Sequence, residues 1–436
     1  MVQAGRAAAA PPNERMTHRR REIARLAVAA VAFPLAGWAF WSLVLGLGSN
    51  DFHDYWLAGR LILQGHSPYD MTAMQSLART EHLTFTLGGG YSYPLPFALA
   101  MVPLAVLPFG LALAAFNWAS LAAFGLTVAF WIDRTHGRSA TSRRCLLLAL
   151  AAGLYPPVYG TVVMGQVNLI LFPLLGLGAV LALDGATVSR RFWGGVMLGL
   201  AAIVKLVPGA VVVPLALGRR IWAAAGIAAG ALGTLALATL MVPWAAAGSG
   251  NLSSLFDPDA FYTNQSINGF VTRLVSPSDR TTPMWNGAFD PRPVMLALTL
   301  AFGLVTLAVL WRVRVRLADR RGAAIGLGLA LVAGIIAAPK ESFWNQALAL
   351  VAVGLLLAAE APDLLFGRFG RIDRALLGAW FGSAILWAAQ WAVEPRAAGA
   401  VGSVVTLLWS SSLYGMLALW LLMARRLLAQ PPRPSA

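Results

Sequence analysis

Long apolar runs alternate along this chain with short Arg-rich stretches, and most of the runs approach the roughly 20 residues a helix needs to cross a bilayer. The pattern predicts apolar helices at about 25–47, 108–132, 221–243, 293–311, 323–338, 346–359, 375–394 and 402–424. Pro103 and Pro108 divide the stretch 95–132 into a short surface helix and one span. The segment 145–184 begins and ends beside Arg clusters, so it should cross an even number of times, with Tyr155-Pro156-Pro157 as its external turn. Residues 193–218 have Arg pairs at both ends, are too few for two full crossings, and carry Lys205 and Pro208 midway. They predict a broken pair of half-length helices with Lys205 near the turn. The expectation is an all-α polytopic integral membrane protein with about 12 transmembrane helices, some short or broken, and external juxtamembrane helices.

Composition agrees with this class: 58% of the residues are hydrophobic, 12% are charged, and the net charge is +15. The excess of Lys and Arg collects in loops on one side, as cytoplasmic loops of membrane proteins do, so no nucleic-acid partner is expected. Arg15, Arg19, Arg20 and Arg21 place a basic N-terminal segment (1–24) in the cytoplasm, followed by a retained first helix and not a cleaved signal. A single transmembrane domain is expected over 25–424, with external loops at 48–93 and 245–292 and a cytoplasmic tail at 425–436. The single cysteine, Cys145, allows no intramolecular disulfide, and the five histidines have no metal-ligand spacing. Gly88-Gly89-Gly90 lacks the strand and helix of a nucleotide cradle, and Asp257-x-Asp259 is interrupted by Pro258. A metal-independent or only weakly metal-dependent reaction is expected, with no bound metal site, no cofactor and no nucleotide-sugar donor.

Polar and aromatic residues gather on the external side. The first loop, the Tyr155 turn, the Lys205 turn, the loop around Asn264 and the hinge 339–346 all face one compartment, which suits a cavity open to lipid and a lipid-borne substrate. Carboxylates at that depth are costly unless used, which draws attention to Asp51 and Asp54. They are three residues apart and fit one helical face, where mutual repulsion raises one pKa; the competing explanation is that Asp51 caps a helix starting at Phe52. Lys205 supplies a cation at freed helix ends, against simple snorkelling to the interface. Arg60, on the same expected helix as Asp51, is read as lying near the same face, with a salt bridge or lipid headgroup as the alternative. Gln166 and Asn168 suit sugar hydroxyls or freed backbone groups equally well. Tyr55, Trp56, Tyr93, Phe343 and Trp344 fit either sugar stacking or an interfacial aromatic belt. Lys340 and Glu341 are expected to neutralise one another, with either able to reach the cavity.

Six motifs occur in order: Asp51-Phe52-x-x-Tyr55-Trp56-x-Ala58-Gly59-Arg60, Gly65-x-x-Pro68-Tyr69-Asp70, Tyr93-Pro94-Leu95-Pro96, Gly165-Gln166-x-Asn168, Lys205-x-x-Pro208 and Asn264-Gln265-Ser266-x-x-Gly269-x-x-x-Arg273. In this order they resemble glycosyltransferase family 87, a group of GT-C-fold enzymes related to polyprenyl-phosphate-mannose-dependent α-1,2-mannosyltransferases. The chain departs from the family at Tyr93-Pro94-Leu95, where relatives have Tyr-Pro-Pro. It departs further at Ala338-Pro339-Lys340-Glu341-Ser342-Phe343-Trp344-Asn345, where relatives often carry a Trp and a His.

The resemblance implies a GT-C-like inner-membrane enzyme with its active site facing the periplasm or exterior. It would move a hexose, mannose or another, from a polyprenyl-phosphate-sugar donor to a hydroxyl of a lipid-linked or glycan acceptor, with inversion. The resemblance assigns the general base to Asp51, with Asp54 as the rival in the same loop. Asp54, Tyr55, Arg60, Tyr93, Gln166, Asn168, Lys205, Asn264, Gln265, Arg273 and Asn345 are the expected substrate contacts, and membrane lipids the remaining partner. Two other classes compete. A flippase of lipid-linked sugars predicts an internal repeat and midplane polar residues in both halves. A lipid-pyrophosphate-dependent oligosaccharide ligase predicts several external Arg in a large late loop.

Overall fold

The computed structural model describes residues 12–44, 50–83, 91–136, 143–246, 256–278, 280–360, 369–393 and 399–429. The helices in chain order are α1 (Pro12–Val44), α2 (Asn50–Leu63), α3 (Met71–Thr80), α4 (Leu95–Ala105), α5 (Phe109–His136), α6 (Arg143–Leu154), α7 (Pro156–Met164), α8 (Leu171–Asp184), α9 (Val188–Val204) and α10 (Val212–Leu217). They continue with α11 (Ile221–Met241), α12 (Pro243–Ala246), α13 (Ile267–Val275), α14 (Pro291–Arg312), α15 (Arg320–Ala337), α16 (Ala349–Glu360), α17 (Arg371–Val393), α18 (Gly399–Leu408) and α19 (Ser411–Leu428). Extended pairing among the described residues is confined to isolated bridges. Lipid offers no partner for backbone N–H and C=O groups, so apolar runs of this length close their hydrogen bonds within helices.

The protein is a multi-pass membrane protein. Among the described residues seven helical stretches are long and apolar enough to cross a bilayer, or eight if the bent pair α6–α7 is one span. The sequence expectation of about 12 counted four more: the two halves of 193–218, the segment of α17, and 402–424. The first two are short, α9 with 17 residues and α10 with six. The helix of 402–424 is interrupted at Trp409-Ser410, between α18 and α19. Gly88-Gly89-Gly90 and the residues before Pro12 and after Ala429 lie outside the described residues.

Two features order the bundle. The first is close approach of α9 and α11, where a Cβ on Gly195 would meet the carbonyl oxygen of Ala223 at 2.0 Å and one on Gly226 that of Phe192 at 2.1 Å. Small residues let the two backbones touch, which substitutes for a hydrophobic driving force that lipid does not supply.

The second is a cluster of ion pairs at one end. Arg19 meets Asp133 at 2.6 Å, and Arg134 (2.8 Å) and Arg320 both hold Asp184. Arg321 (2.7 Å) and Arg426 hold the fully buried Glu360, and Arg425 (3.1 Å) and Arg426 (3.3 Å) hold Asp373. The starts of α1, α15 and α17 and the ends of α5, α8, α16 and α19 therefore meet at one face. This is the face the Arg-rich loops predict to be cytoplasmic.

Helices α8, α15 and α16 each run from this ion-pair face to the opposite end, a rise of about 18–27 Å at 1.5 Å per residue. There α15 leads into the segment 338–342, α16 follows the 3₁₀ turn Phe343–Leu348, and α8 follows the 3₁₀ turn Val167–Leu169. The segment 145–184 departs from expectation at this end. At Tyr155-Pro156 the chain bends by 49° instead of reversing. Pro156 and Pro157 sit in the first turn of α7, where a missing N–H costs nothing, so they redirect the helix without ending the crossing. The reversal comes later, between Gly165 and Ile170.

Candidate functional site

The reversal is made by the Gly165-Gln166-x-Asn168 motif. Gly165 closes α7 in the left-handed region (φ 66°), a conformation that favours glycine, and its N–H bonds back to the helix. The next residues enter the 3₁₀ turn with Gln166 and Asn168 buried and facing different neighbours. Two polar networks start here.

In the first, Gln166 Nε2 donates to Asp51 Oδ2 at 2.6 Å. Gln166 Oε1 accepts from the hydroxyls of Tyr55 at 2.9 Å and Tyr93 at 3.1 Å. The two tyrosine oxygens are 2.8 Å apart. An amide whose donor faces a carboxylate and whose acceptor faces hydroxyls has its orientation fixed by chemistry. Asp51 thus spends an oxygen on Gln166, across the site from its own helix, which disfavours the explanation that it serves only to cap α2.

Asp51 and Asp54, half-buried in the first turns of α2, share one face as expected. Burial pushes the Asp51 carboxyl above its ordinary range, while the Gln166 hydrogen bond and the charge of Lys205 pull it back. Burial, and then the charge of Asp51, push Asp54 up to about 7.

In the second network, Lys205 Nζ donates to Asn168 Oδ1 at 2.8 Å. Asn168 Nδ2 lies 3.1 Å from Asn345 Oδ1 and 3.3 Å from both Thr161 Oγ1 and the Trp344 carbonyl. Lys205 is the extended residue that ends α9, and the 3₁₀ turn Val207–Val211 follows, so the broken pair expected at 193–218 is present. Its charge acts on both Glu341 and Asp51, linking the two networks.

At Glu341 the expected neutralisation by Lys340 gives way to the alternative that one of the two reaches the cavity. Lys340 is exposed, whereas Glu341 is 2% exposed and coupled to Lys205 instead of its neighbour. Asn345 bonds the Glu341 carboxylate, yet Oε1 has no hydrogen-bond partner. Burial pushes this carboxyl up to about 7, against the pull of Lys205 and Asn345.

Asn264, Gln265 and Arg273 form a separate, fully buried group. The strand-like stretch 263–265 pairs with 341–343: Gln265 N donates to the Glu341 carbonyl at 2.7 Å and Phe343 N to the Thr263 carbonyl at 2.9 Å. Asn264 Oδ1 accepts from Glu341 N at 3.1 Å and Ser266 Oγ at 2.7 Å. Gln265 Nε2 holds the Trp409 carbonyl (2.7 Å), and Arg273 reaches the Asn264 carbonyl (2.7 Å) and Ser410 Oγ (2.8 Å). A Cβ on Gly269 would meet the Asn264 carbonyl oxygen at 2.2 Å, so this glycine is required by close approach. The motif as a whole fastens the hinge that carries Glu341 and Asn345.

Arg60 faces away from Asp51. It donates to the Ala105 carbonyl at the end of α4 (3.1 Å), pairs with Glu81 at 3.7 Å and lies over Trp56. Nine residues are about two and a half helical turns, which puts the two side chains on opposite faces and corrects the expectation. The Gly65-x-x-Pro68-Tyr69-Asp70 motif also builds structure: Gly65 has φ 79°, Asp70 caps α3 through Thr72 N at 2.9 Å, and Tyr69 holds the Tyr93 carbonyl at 3.0 Å. Asp259 bonds Phe261 N and Asn264, while Asp257 lies 4.0 Å from Arg292. Among the described residues no three His, Cys, Asp or Glu side chains converge as a metal site. An apolar groove of about 460 Å³ among α5, α6, α8, α16 and α17 is lined by none of these polar residues.

Asp51, Asp54, Tyr93 and Lys205 are thus the half-buried members of the site, while Gln166, Asn168, Glu341 and Asn345 lie behind them. The arrangement offers a proton acceptor and a fixed cation from opposite sides of one turn.

Comparison with known proteins points the same way. The chain is 29% identical over 269 residues to the polyprenol-phosphate-mannose-dependent alpha-(1-2)-phosphatidylinositol pentamannoside mannosyltransferase of Mycolicibacterium smegmatis (strain ATCC 700084 / mc(2)155). The match covers 57% of this chain and 57% of that protein, so it spans little more than half the length of the relative. The sequence profile of glycosyltransferase family 87 matches residues 91–339, which include Tyr93, Gln166, Asn168, Lys205, Asn264, Gln265 and Arg273 and exclude Asp51 and Glu341. On this match, over more than half its length, the chain belongs to glycosyltransferase family 87.

Proposed function

We propose that the protein transfers a hexose, with mannose the first to test, from a polyprenyl-phosphate sugar to a hydroxyl of a lipid-linked or glycan acceptor. The family and the named donor of the mycobacterial relative support this reading, as does the all-helical architecture expected of a GT-C-like fold. The observation that carries it is the meeting of Asp51 and Lys205 across the Gly165–Asn168 turn.

The reaction is a single displacement with inversion. The acceptor oxygen forms a bond to the anomeric carbon as its proton passes to the Asp51 carboxylate, and the bond from that carbon to the phosphate oxygen breaks. Charge gathers on the departing polyprenyl phosphate, where Lys205, held by Asn168, stabilises it in a site of low dielectric. Gln166 orients Asp51, and the half-buried Tyr93 faces the sugar. Asn264, Gln265 and Arg273 act through the hinge. The site lies opposite the Arg-rich face, so the reaction takes place on the exterior side of the inner membrane.

The test is purified protein in lipid nanodiscs, given polyprenyl-phosphate mannose and a panel of glycolipid acceptors. Asp51→Asn should abolish transfer and Asp54→Asn should retain it. The reverse result moves the base to Asp54, and full transfer by both variants rejects a carboxylate base on α2. Movement of labelled donor across the bilayer with no new glycosidic bond would instead support the flippase reading.

A further inference from the structure

Glu341 is a buried carboxylate with an open acceptor position, in the site but without a task in the reaction above. Its Oε1 has no hydrogen-bond partner although the residue is 2% exposed. A buried ionised oxygen left unpartnered is expensive, and such a group survives in a fold when something else offsets its charge or uses it. The charged and titratable groups coupled to it among the described residues are Lys205, at the break after α9, and Tyr93, before α4. Lys340 is exposed, and the Glu341 main chain is held by Asn264 Oδ1 and Gln265 N. Lys205 is therefore shared between Glu341 and Asp51.

A donor phosphodiester that uses Lys205 brings a third negative charge to one cation. Three negative charges around a single Lys at low dielectric cost much more than two, so binding favours neutralising one of them with a proton. Asp51 must stay ionised to accept a proton, which leaves Glu341 to give up its charge. We infer that Glu341 is the resident counter-ion of Lys205, that the donor phosphate replaces it in that role, and that each donor bound is accompanied by uptake of one proton on Glu341. The exchange balances: phosphodiester anion, Glu341 carboxylate and one proton become Lys205-bound phosphodiester and Glu341 carboxylic acid. The neutral acid then has an O–H to donate to a phosphate or sugar oxygen. A carboxyl driven toward neutrality by burial is suited to this part. The inference rests on the reading of Lys205 as the phosphate ligand.

The experiment is calorimetric titration of full-length protein in nanodiscs with a short-chain polyprenyl-phosphate mannose. Buffers of different ionisation enthalpy at neutral pH count the protons taken up. Glu341, raised to about 7, is about half ionised at neutral pH, so wild type should take up about half a proton per donor there and approach one about a pH unit higher, and its Kd should rise with pH above neutrality, by up to about tenfold per unit. Glu341→Gln should bind with that uptake largely abolished and a much flatter pH dependence, while Glu341→Asp restores both. An uptake unchanged in Glu341→Gln, or one lost in Asp54→Asn and kept in Glu341→Gln, overturns the inference and leaves the donor reading standing. Wild type that binds no polyprenyl-phosphate sugar at any pH overturns both.

Discussion

The Gln166 amide stands between Asp51 and a pair of tyrosines, donating to the Asp51 carboxylate at 2.6 Å while its own oxygen accepts from Tyr55 and Tyr93. Because the acceptor side of the amide is already filled by hydroxyls, its N–H₂ group has to face Asp51. This holds the carboxylate in one orientation and favours its ionised form. Asn168, two residues later, does the same for Lys205 from the other side of the turn.

Gln166→Ala removes the hydrogen bond that stabilises ionised Asp51. The expected result is a loss in kcat/KM of about tenfold to a hundredfold, within the range that positioned acid–base groups contribute. The same change should move the acidic limb of the pH–rate profile to higher pH, because the Asp51 carboxyl loses the hydrogen bond that opposes its burial. A rate loss with an unmoved limb would separate Gln166 from Asp51.

Lys205→Met should lower kcat/KM by about a hundredfold or more, as removal of one preorganised charge-stabilising donor does. Asn168→Ala leaves the cation present but unheld, so a smaller loss is expected, weighted toward kcat. Equal losses in both variants would argue that Lys205 supports the fold alone. Initial rates across donor concentrations check this.

Stability should depend on pH through Asp54 and Glu341. Each carboxyl is raised to about 7 in the folded protein, from ordinary values of 3.8 and 4.5. Between the ordinary value and about 7 the unfolded chain releases a proton that the folded chain keeps, so stability falls as pH rises through that window. Asp54→Asn and Glu341→Gln should each raise the melting temperature at pH 8 and change it little at pH 4, measured by thermal denaturation in detergent.

The ion-pair face should govern stability and leave chemistry alone. Glu360 is fully buried between Arg321 and Arg426. Glu360→Gln removes the buried charge that Arg321 and Arg426 share, with Asp373 still holding Arg426, and should destabilise the protein by about 3 kcal/mol, the low end for broken buried pairs. KM for the donor should stay unchanged in the folded fraction. Denaturation and kinetics on the same preparation distinguish the two effects.

Labelling tests the sidedness. On a Cys145→Ser background, His66→Cys should react with an impermeant maleimide from outside intact cells, and Arg314→Cys only after permeabilisation. Both positions are exposed, His66 in the turn after α2 and Arg314 in the turn between α14 and α15. The opposite pattern would invert the topology.

The apolar runs and the Arg-rich returns of the sequence were enough to fix the class, the helical content and the break at Lys205, because a bilayer forces apolar backbone into helices and collects basic residues on one side. The ordered motifs were enough to nominate most of the site. Tertiary structure decided what each residue faces. Periodicity suggested a turn at Tyr155-Pro156-Pro157, but prolines in a first helical turn only bend the chain, and the reversal belongs to a left-handed glycine nine residues on. Adjacency suggested Lys340 for Glu341, but Lys340 stays at the surface while Glu341 is buried, where the bundle supplies Lys205 from another element. Asn264, Gln265 and Arg273 read like substrate ligands because they are polar and fall in an ordered motif, yet in the fold their side chains are held by Glu341 N, by the Trp409 carbonyl, and by the Asn264 carbonyl and Ser410 Oγ. Hydrophobic pattern carries information about which residues are buried; which buried polar group answers which is set only when separate helices meet.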